Sequence, residues 1–436
     1  MNDFVIETLE YSSDSSELLR RLQSLPGLVM LDSGKQNRVD QRYDIISALP
    51  IIRLAQDGNK LLCIDQDGTN SIDGDIFSET SELLERFCPE SYPDPIKDLP
   101  FLGGAIGCFA YEKLSEVGIY TWAIIVDHTK RKSLLFALPS CPPRALERIH
   151  MALVSAPRDM KPFALKNDFT PNFDAQSYRL AFDKVQAYIQ AGDCYQVNLA
   201  QRFRAQYQGE PLEAYLRLRD SIDCPFAAYY SHLQGDVLCF SPERFLKVCD
   251  GNVVTQPIKG TRPRSKDKDE DKRMADALEN SAKDKAENLM IVDLLRNDLG
   301  TLCETGSVQV DALFELKSFP NVHHLVSTIS ATLAPEHSPM QLLKNCFPGG
   351  SITGAPKKRA MEIIQELEPD GRAVYCGSIA YLSFDGKMDS NITIRTLFCH
   401  SGTVDCWGGG GLVADSNCEQ EYQECFDKIN NIIKAL

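Results

Sequence analysis

Two prolines bracket Gln256-Pro257-Ile258-Lys259-Gly260-Thr261-Arg262-Pro263-Arg264. Proline fixes φ and removes a backbone donor, whereas glycine frees φ. The segment is therefore expected to be a defined turn, neither helix nor central strand. Gly260 has no Cβ, so another molecule can approach the backbone closely. A lysine held there out of water loses part of its charge and becomes nucleophilic. Alone, the stretch reads more readily as an exposed basic turn. Its context changes that reading, because carboxylate-bearing helices and glycine-rich segments follow downstream.

The 436 residues are enough for two or three domains. A formal charge of −15 argues against nucleic-acid binding. It also means that an anionic ligand must be held by a few local cations. No basic stretch leads into an apolar run at the N-terminus, and no apolar run is long enough to span a membrane. The 15 cysteines include no CxxC pair, as expected of reduced thiols in a cytoplasmic protein.

A polar, proline-bearing stretch, Ala156–Phe173, suggests a boundary between residues 1–155 and 156–436. In the first region, Leu28–Leu31 and Ile45–Ile46 read as buried strands. Trp122–Asp127 and Lys132–Leu138 read as a strand pair, and Asp65–Asp75 as an acidic loop. In the second, Asp174 caps a helix to Ile189, with Gly192 closing it. Tyr195–Leu199 is extended, and Pro225–Tyr230 and Val237–Phe240 are strands. Ser265–Arg273, densely charged, is expected to be a solvated mobile loop.

A helix from Ser281 to about Asn297 puts Glu287 on a face shared with Ile291, Leu294 and Asp298. An acid on an otherwise apolar face is costly unless a cation pairs with it. The last helix should begin at Ser416, with Glu419 completing a capping box. Glu421, Glu424 and Lys428 line one strip of it. Pro348–Lys357 ends at a helix start, where free N–H groups favour an anion. Gly408–Gly411 is expected to be a second glycine loop. Neither has Walker A or GxGxxG spacing.

Taken together, Gly192–Leu199, Ser241–Phe245, Pro257–Thr261, Ala286–Asp298, Val322–Ser327, Pro348–Lys357, Gly377–Ser383, Ile392–Thr396 and Gly408–Lys428 resemble the chorismate-utilising enzymes, most closely the aminodeoxychorismate-forming branch. The matches cover most of residues 175–436 in the family's order. The resemblance implies an α+β fold, two antiparallel sheets packed as a sandwich with helices outside. It implies Mg²⁺ held by Glu287 and Glu424, with Glu421 and Asp298 as alternatives, against the ring carboxylate of chorismate. It places Arg395 on the enolpyruvyl carboxylate, with Tyr381, Thr353, Gly409 and Gly410 nearby. Lys428 falls near the ring carboxylate and metal, and Gln196 is a further substrate contact.

The same resemblance assigns Lys259 as nucleophile, Glu243 as general acid and base, and His324 as a positioning or proton-handling group. Lys259 is the discriminating position, since anthranilate synthases carry alanine there; anthranilate synthase component I is the alternative activity. Isochorismate-forming relatives place lysine at the position of Gln196 to activate water. None of the cysteines sits in a glycine-flanked elbow, so ammonia is expected from a separate glutamine amidotransferase subunit. Ser33, Tyr43 and Asp44 fall where relatives keep a tryptophan pocket; bound tryptophan and an ordinary sheet edge are both open readings.

Overall fold

A computed structural model describes residues 3–34, 42–112, 114–319 and 322–436. Two antiparallel sheets, of 13 and 12 strands among the described residues, carry the fold. The first runs from Val5–Leu9 at one edge through Val29–Asp32, Phe226–His232, Gly235–Ser241 and Thr396–His400 to Thr403–Leu412 and Gln196–Gln208. The second runs from Ile258–Pro263 through Val322–Thr332 and Arg244–Cys249 to Ser378–Ser383, Gly104–Phe109 and Gly68–Ile72. Both sheets take strands from either side of residue 155.

Side-chain alternation along the strands explains the layers. Ala200, Val237 and Cys239 join a core with Ile106, Phe245, Val248 and Ile379 of the other sheet. Their neighbours Leu199, Leu238 and Phe240 pack instead with Tyr178, Val185, Ile363 and Ile429 of outer helices. The expected α+β sandwich is therefore present. No helix among the described residues is long and apolar enough to cross a membrane.

Local signals succeeded where the cause is local. Asp174 and Ser281 cap helices Ala175–Ala191 and Ala282–Gly300, and Gly192 closes the first in the left-handed region. They failed where the cause lies elsewhere in the chain. The proline-framed stretch is not a turn but the strand Ile258–Pro263 at the end of its sheet. An edge strand tolerates proline, and Gly260, at φ +83, absorbs a register shift between Ile258 and Thr261. Ser265–Arg273 is not a mobile loop. Asp267 caps a helix, Lys268–Glu279, and Arg264 pairs with Asp271 at 2.8 Å.

Gly408–Gly411 lie inside the strand Thr403–Leu412, not in a loop. A Cβ at Gly408 would collide with the Cys425 carbonyl oxygen, so the glycine lets the last helix sit on bare backbone. That helix is Cys418–Ala435 and is capped by Asn417; the Ser416 hydroxyl donates to Glu421 instead, at 2.7 Å. Within Asp65–Asp75, Gly68–Ile72 pairs with Lys60–Asp65 as a strand. The Ala156–Phe173 stretch adds two short strands, Ala164–Leu165 and Thr170–Pro171, to Gln196–Gln208.

Candidate active site

The Lys259 amine, on the edge strand, donates to the Ser351 carbonyl at 2.9 Å. The Ser351 hydroxyl donates to Glu243 Oε1, also at 2.9 Å. One residue thus touches both groups that the sequence singles out. Burial pushes the Lys259 amine below its ordinary range, while the Glu287 and Glu243 carboxylates pull it back. Burial raises the Glu243 carboxyl above the usual range, against the opposing pull of Lys259 and the Ser351 hydrogen bond. Ser351 was not singled out as a site residue; its only signal was membership of the Pro348–Lys357 stretch.

Across from this pair lies a cluster of acids and lysines. Gln196 Nε2 donates to Glu287 Oε2 at 3.4 Å. Burial raises the Glu287 carboxyl; Lys259 and Lys283 oppose that, and Asp284 and Glu421 reinforce it. Lys428 pairs with Glu424 at 2.7 Å and donates to the Gly409 carbonyl at 2.7 Å. Burial acts to raise the Glu424 carboxyl, but the Lys428 ion pair and Lys283 hold it below its ordinary value. Lys283, which the sequence reading missed, reaches Glu421 at 3.5 Å.

A Cβ at Gly410 would lie 2.9 Å from Glu421 Oε2 and 3.6 Å from Glu424 Oε1. Both acids therefore lean over a bare stretch of strand. No group of three acidic, histidine or cysteine side chains is arranged to hold a metal by itself among the described residues. One or two carboxylates completed by water and substrate oxygens is the usual habit of Mg²⁺, and this donor set fits it. Asp298 is not part of the cluster. Lys357 holds it at 2.7 Å and also donates to the Cys346 carbonyl at 2.9 Å.

His324 is buried, with Nδ1 2.9 Å from Thr261 Oγ1. Burial and the nearby Arg395 charge push its pKa down to about 3, so the ring is neutral across the physiological range. His323 is tied to Ser318 and Asp271. Arg395 sits in the left-handed region at φ +51. Strained backbone of this kind persists where surrounding structure enforces it. No hydrogen bond or ion pair engages the Arg395 guanidinium among the described residues.

Other expected contacts fall differently. The Thr353 hydroxyl is spent within its own segment, donating to the Gly349 carbonyl at 3.1 Å. Gly409 lies against Ala200. Tyr381 lines a cavity whose lining does not include Arg395. That cavity, of about 330 Å³, is also lined by Asp32, Ser33, Tyr43, Arg244 and Asp389. Asp44 does not line that cavity but sits behind it, accepting from the Ser33 backbone at 3.0 Å and hydroxyl at 2.9 Å. Arg219 and Tyr215 hold Asp32.

Comparison with known proteins gives the family. Residues 102–434 match the chorismate binding enzyme family. The chain is 44% identical to aminodeoxychorismate synthase component 1 of Escherichia coli K12, covering 98% of each chain. It is 30% identical to anthranilate synthase component 1 of Bacillus subtilis, over 99% of this chain and 91% of that one. The crystal structure of anthranilate synthase component I from Streptococcus pneumoniae superposes with a TM-score of 0.79 at 31% identity, over 91% and 93% of the chains. With the fold, the match over residues 102–434 and the near full-length relatives in agreement, this chain belongs to the chorismate binding enzymes.

Proposed function

We propose that this chain aminates chorismate at C4, giving 4-amino-4-deoxychorismate, the precursor stage of p-aminobenzoate and folate synthesis. The observation that carries the reading is the Lys259–Ser351–Glu243 bridge, two hydrogen bonds of 2.9 Å each. The neutral Lys259 amine attacks ring C2, and both conjugated ring double bonds shift, C1=C2 to C1=C6 and C5=C6 to C4=C5. The C4–oxygen bond breaks as Glu243 gives its proton to the departing hydroxyl, which leaves as water. Ammonia adds at C4 and returns a proton to Glu243, and the lysine leaves from C2 with its bonding pair as both double bonds shift back. Two easier steps replace one hard displacement.

The reaction needs Lys259 neutral and Glu243 protonated at the same time. Burial lowers the first pKa and raises the second, so the two converge. Each unit of convergence enlarges the competent fraction about tenfold. The rate should rise with pH through the Glu243 value, hold between the two, and fall above the Lys259 value. Ser351→Ala removes a hydrogen bond that favours the ionised acid. The acid limb of the kcat/KM profile should therefore move to higher pH, and a profile unmoved in that variant would separate Ser351 from the proton donor.

Glu287 and Glu424 would hold Mg²⁺, with Glu421 leaning toward the same point. Bound there, the ion would offset the charge of the ring carboxylate. Arg395 offers a planar fork to the enolpyruvyl carboxylate. Ammonia would come from a glutamine amidotransferase partner, in keeping with relatives named component 1. Burial raises the pKa of all 15 thiols here, so none is poised as a thiolate nucleophile for glutamine hydrolysis.

Mass spectrometry of products from chorismate, Mg²⁺ and ammonium tests the whole reading. Fluorescent anthranilate in place of aminodeoxychorismate would assign the chain to the alternative activity. The purified chain given glutamine alone should release neither glutamate nor an aminated product. The Ser33–Tyr43 cavity is proposed to take tryptophan. Calorimetric titration should show binding that is lost when Ser33→Trp fills the space.

A further inference from the structure

We propose that Arg372 is the positioning residue that sets Lys259 and Glu243 against each other, by pinning the Gly350–Ile352 turn to the Gln196–Gln208 strand. The inference rests on the amination reading above for its catalytic meaning, though not for its geometry. Arg372 follows the Lys357–Leu367 helix and is fully buried, at 0% exposure. Removing a guanidinium from water costs several kcal/mol, and apolar replacements of buried ion pairs are often no less stable. The return is therefore to be sought in geometry.

Each face of the group has a partner. Nε and one terminal nitrogen meet the two oxygens of Glu368 at 2.9 and 2.6 Å. The two terminal nitrogens also donate to carbonyls from distant segments, Ile352 at 2.9 Å and Asn198 at 2.6 Å. The Tyr111 and Tyr375 rings lie 4.9 and 5.9 Å from the guanidinium carbon. Glu368 itself accepts from the Ala200 backbone at 2.8 Å, tying the pair to the same strand.

What those carbonyls carry decides the role. Ile352 lies between Ser351, which touches both Lys259 and Glu243, and Thr353, whose carbonyl accepts from the Asn198 backbone at 2.8 Å. Asn198 is two residues from Gln196, the partner of Glu287. A shift of Ile352 therefore moves both Ser351 contacts together. A lysine could answer the Glu368 charge but, as a single point, could not hold two carbonyls in one planar fork.

Arg372→Lys tests this. The variant is expected to keep its thermal midpoint near that of the parent. Its kcat should fall about 10- to 100-fold, while the chorismate KM changes less than about threefold. A second readout needs no turnover. Trinitrobenzenesulfonate labelling of Lys259, followed by peptide mass spectrometry across pH, reports the amine directly. Loss of the Ser351 carbonyl as acceptor disfavours the ammonium form, so the labelling midpoint should fall by at least about half a unit.

A folded variant with unchanged kcat, or with an unmoved Lys259 midpoint, overturns the proposal. So does a kcat loss that only follows the lost folded fraction. Should Arg372→Lys not fold, Glu368→Gln carries the same two measurements, and unchanged values in that folded variant overturn the proposal. If the parent makes no aminodeoxychorismate, the amination reading fails by itself, and the labelling arm still decides whether Arg372 places Lys259.

Discussion

Replacing Lys259 with alanine should reduce chorismate amination by at least about 100-fold, a barrier increase of about 2.7 kcal/mol. The loss should appear with both nitrogen sources, glutamine through the partner and free ammonium, because the lysine acts before nitrogen arrives. The amine occupies a place that nothing else among its neighbours can fill. Its contacts are the Ser351 carbonyl and, more distantly, carboxylates and Lys428. Chorismate binding should survive, since the groups proposed to hold its two carboxylates are elsewhere. A variant with unaltered turnover would remove lysine from the reaction. A variant with normal kcat and a raised KM would reduce it to a binding group.

Glu287→Gln and Glu424→Gln should each weaken Mg²⁺ binding by tenfold or more, and the double variant should lose less than the product of the two. Titration calorimetry with Mg²⁺, or the electron-spin resonance of bound Mn²⁺, reads this without turnover. Stability should hardly move for Glu424→Gln. Its ion pair with Lys428 is nearly half exposed, and such pairs contribute about 0–1 kcal/mol. A loss of affinity with an unchanged thermal midpoint therefore separates ligation from structural support. Two losses that simply multiply in the double variant would mean separate sites.

The sequence made some of this legible and hid the rest for identifiable reasons. Glu287 stood out because an acid on an apolar helix face demands a partner from elsewhere. Asp174, Ser281 and Gly192 were legible because caps are settled within a turn of chain. Lys259 was found for a partly mistaken reason. Its prolines mark a sheet edge, which reads like a turn until the neighbouring strand is known. Gly408–Gly411 misled in the same way, since a glycine required by a packed helix looks identical to one required by a bend.

Tyr381 shows a different limit. Resemblance placed it with the substrate groups, but the fold carries it to the cavity beside Ser33 and Tyr43. Ser351, Lys283 and Arg372 act through contacts with residues far away in sequence, which no local pattern announces.

The glycine strand also bears on how the protein is made. Thr403–Leu412 lies between Thr396–His400 and Gln196–Gln208, yet it is synthesised long after the latter. Until it emerges from the ribosome, Gln196–Gln208 has no partner on that side, and the helix bearing Glu421 and Glu424, which follows the strand in the chain, is still to be made. A nascent chain would therefore carry an open sheet edge for much of its synthesis, a surface that invites pairing with other chains. Catalytic competence and protection from aggregation should arrive in the same late event, when four glycines slide into the middle of a waiting sheet.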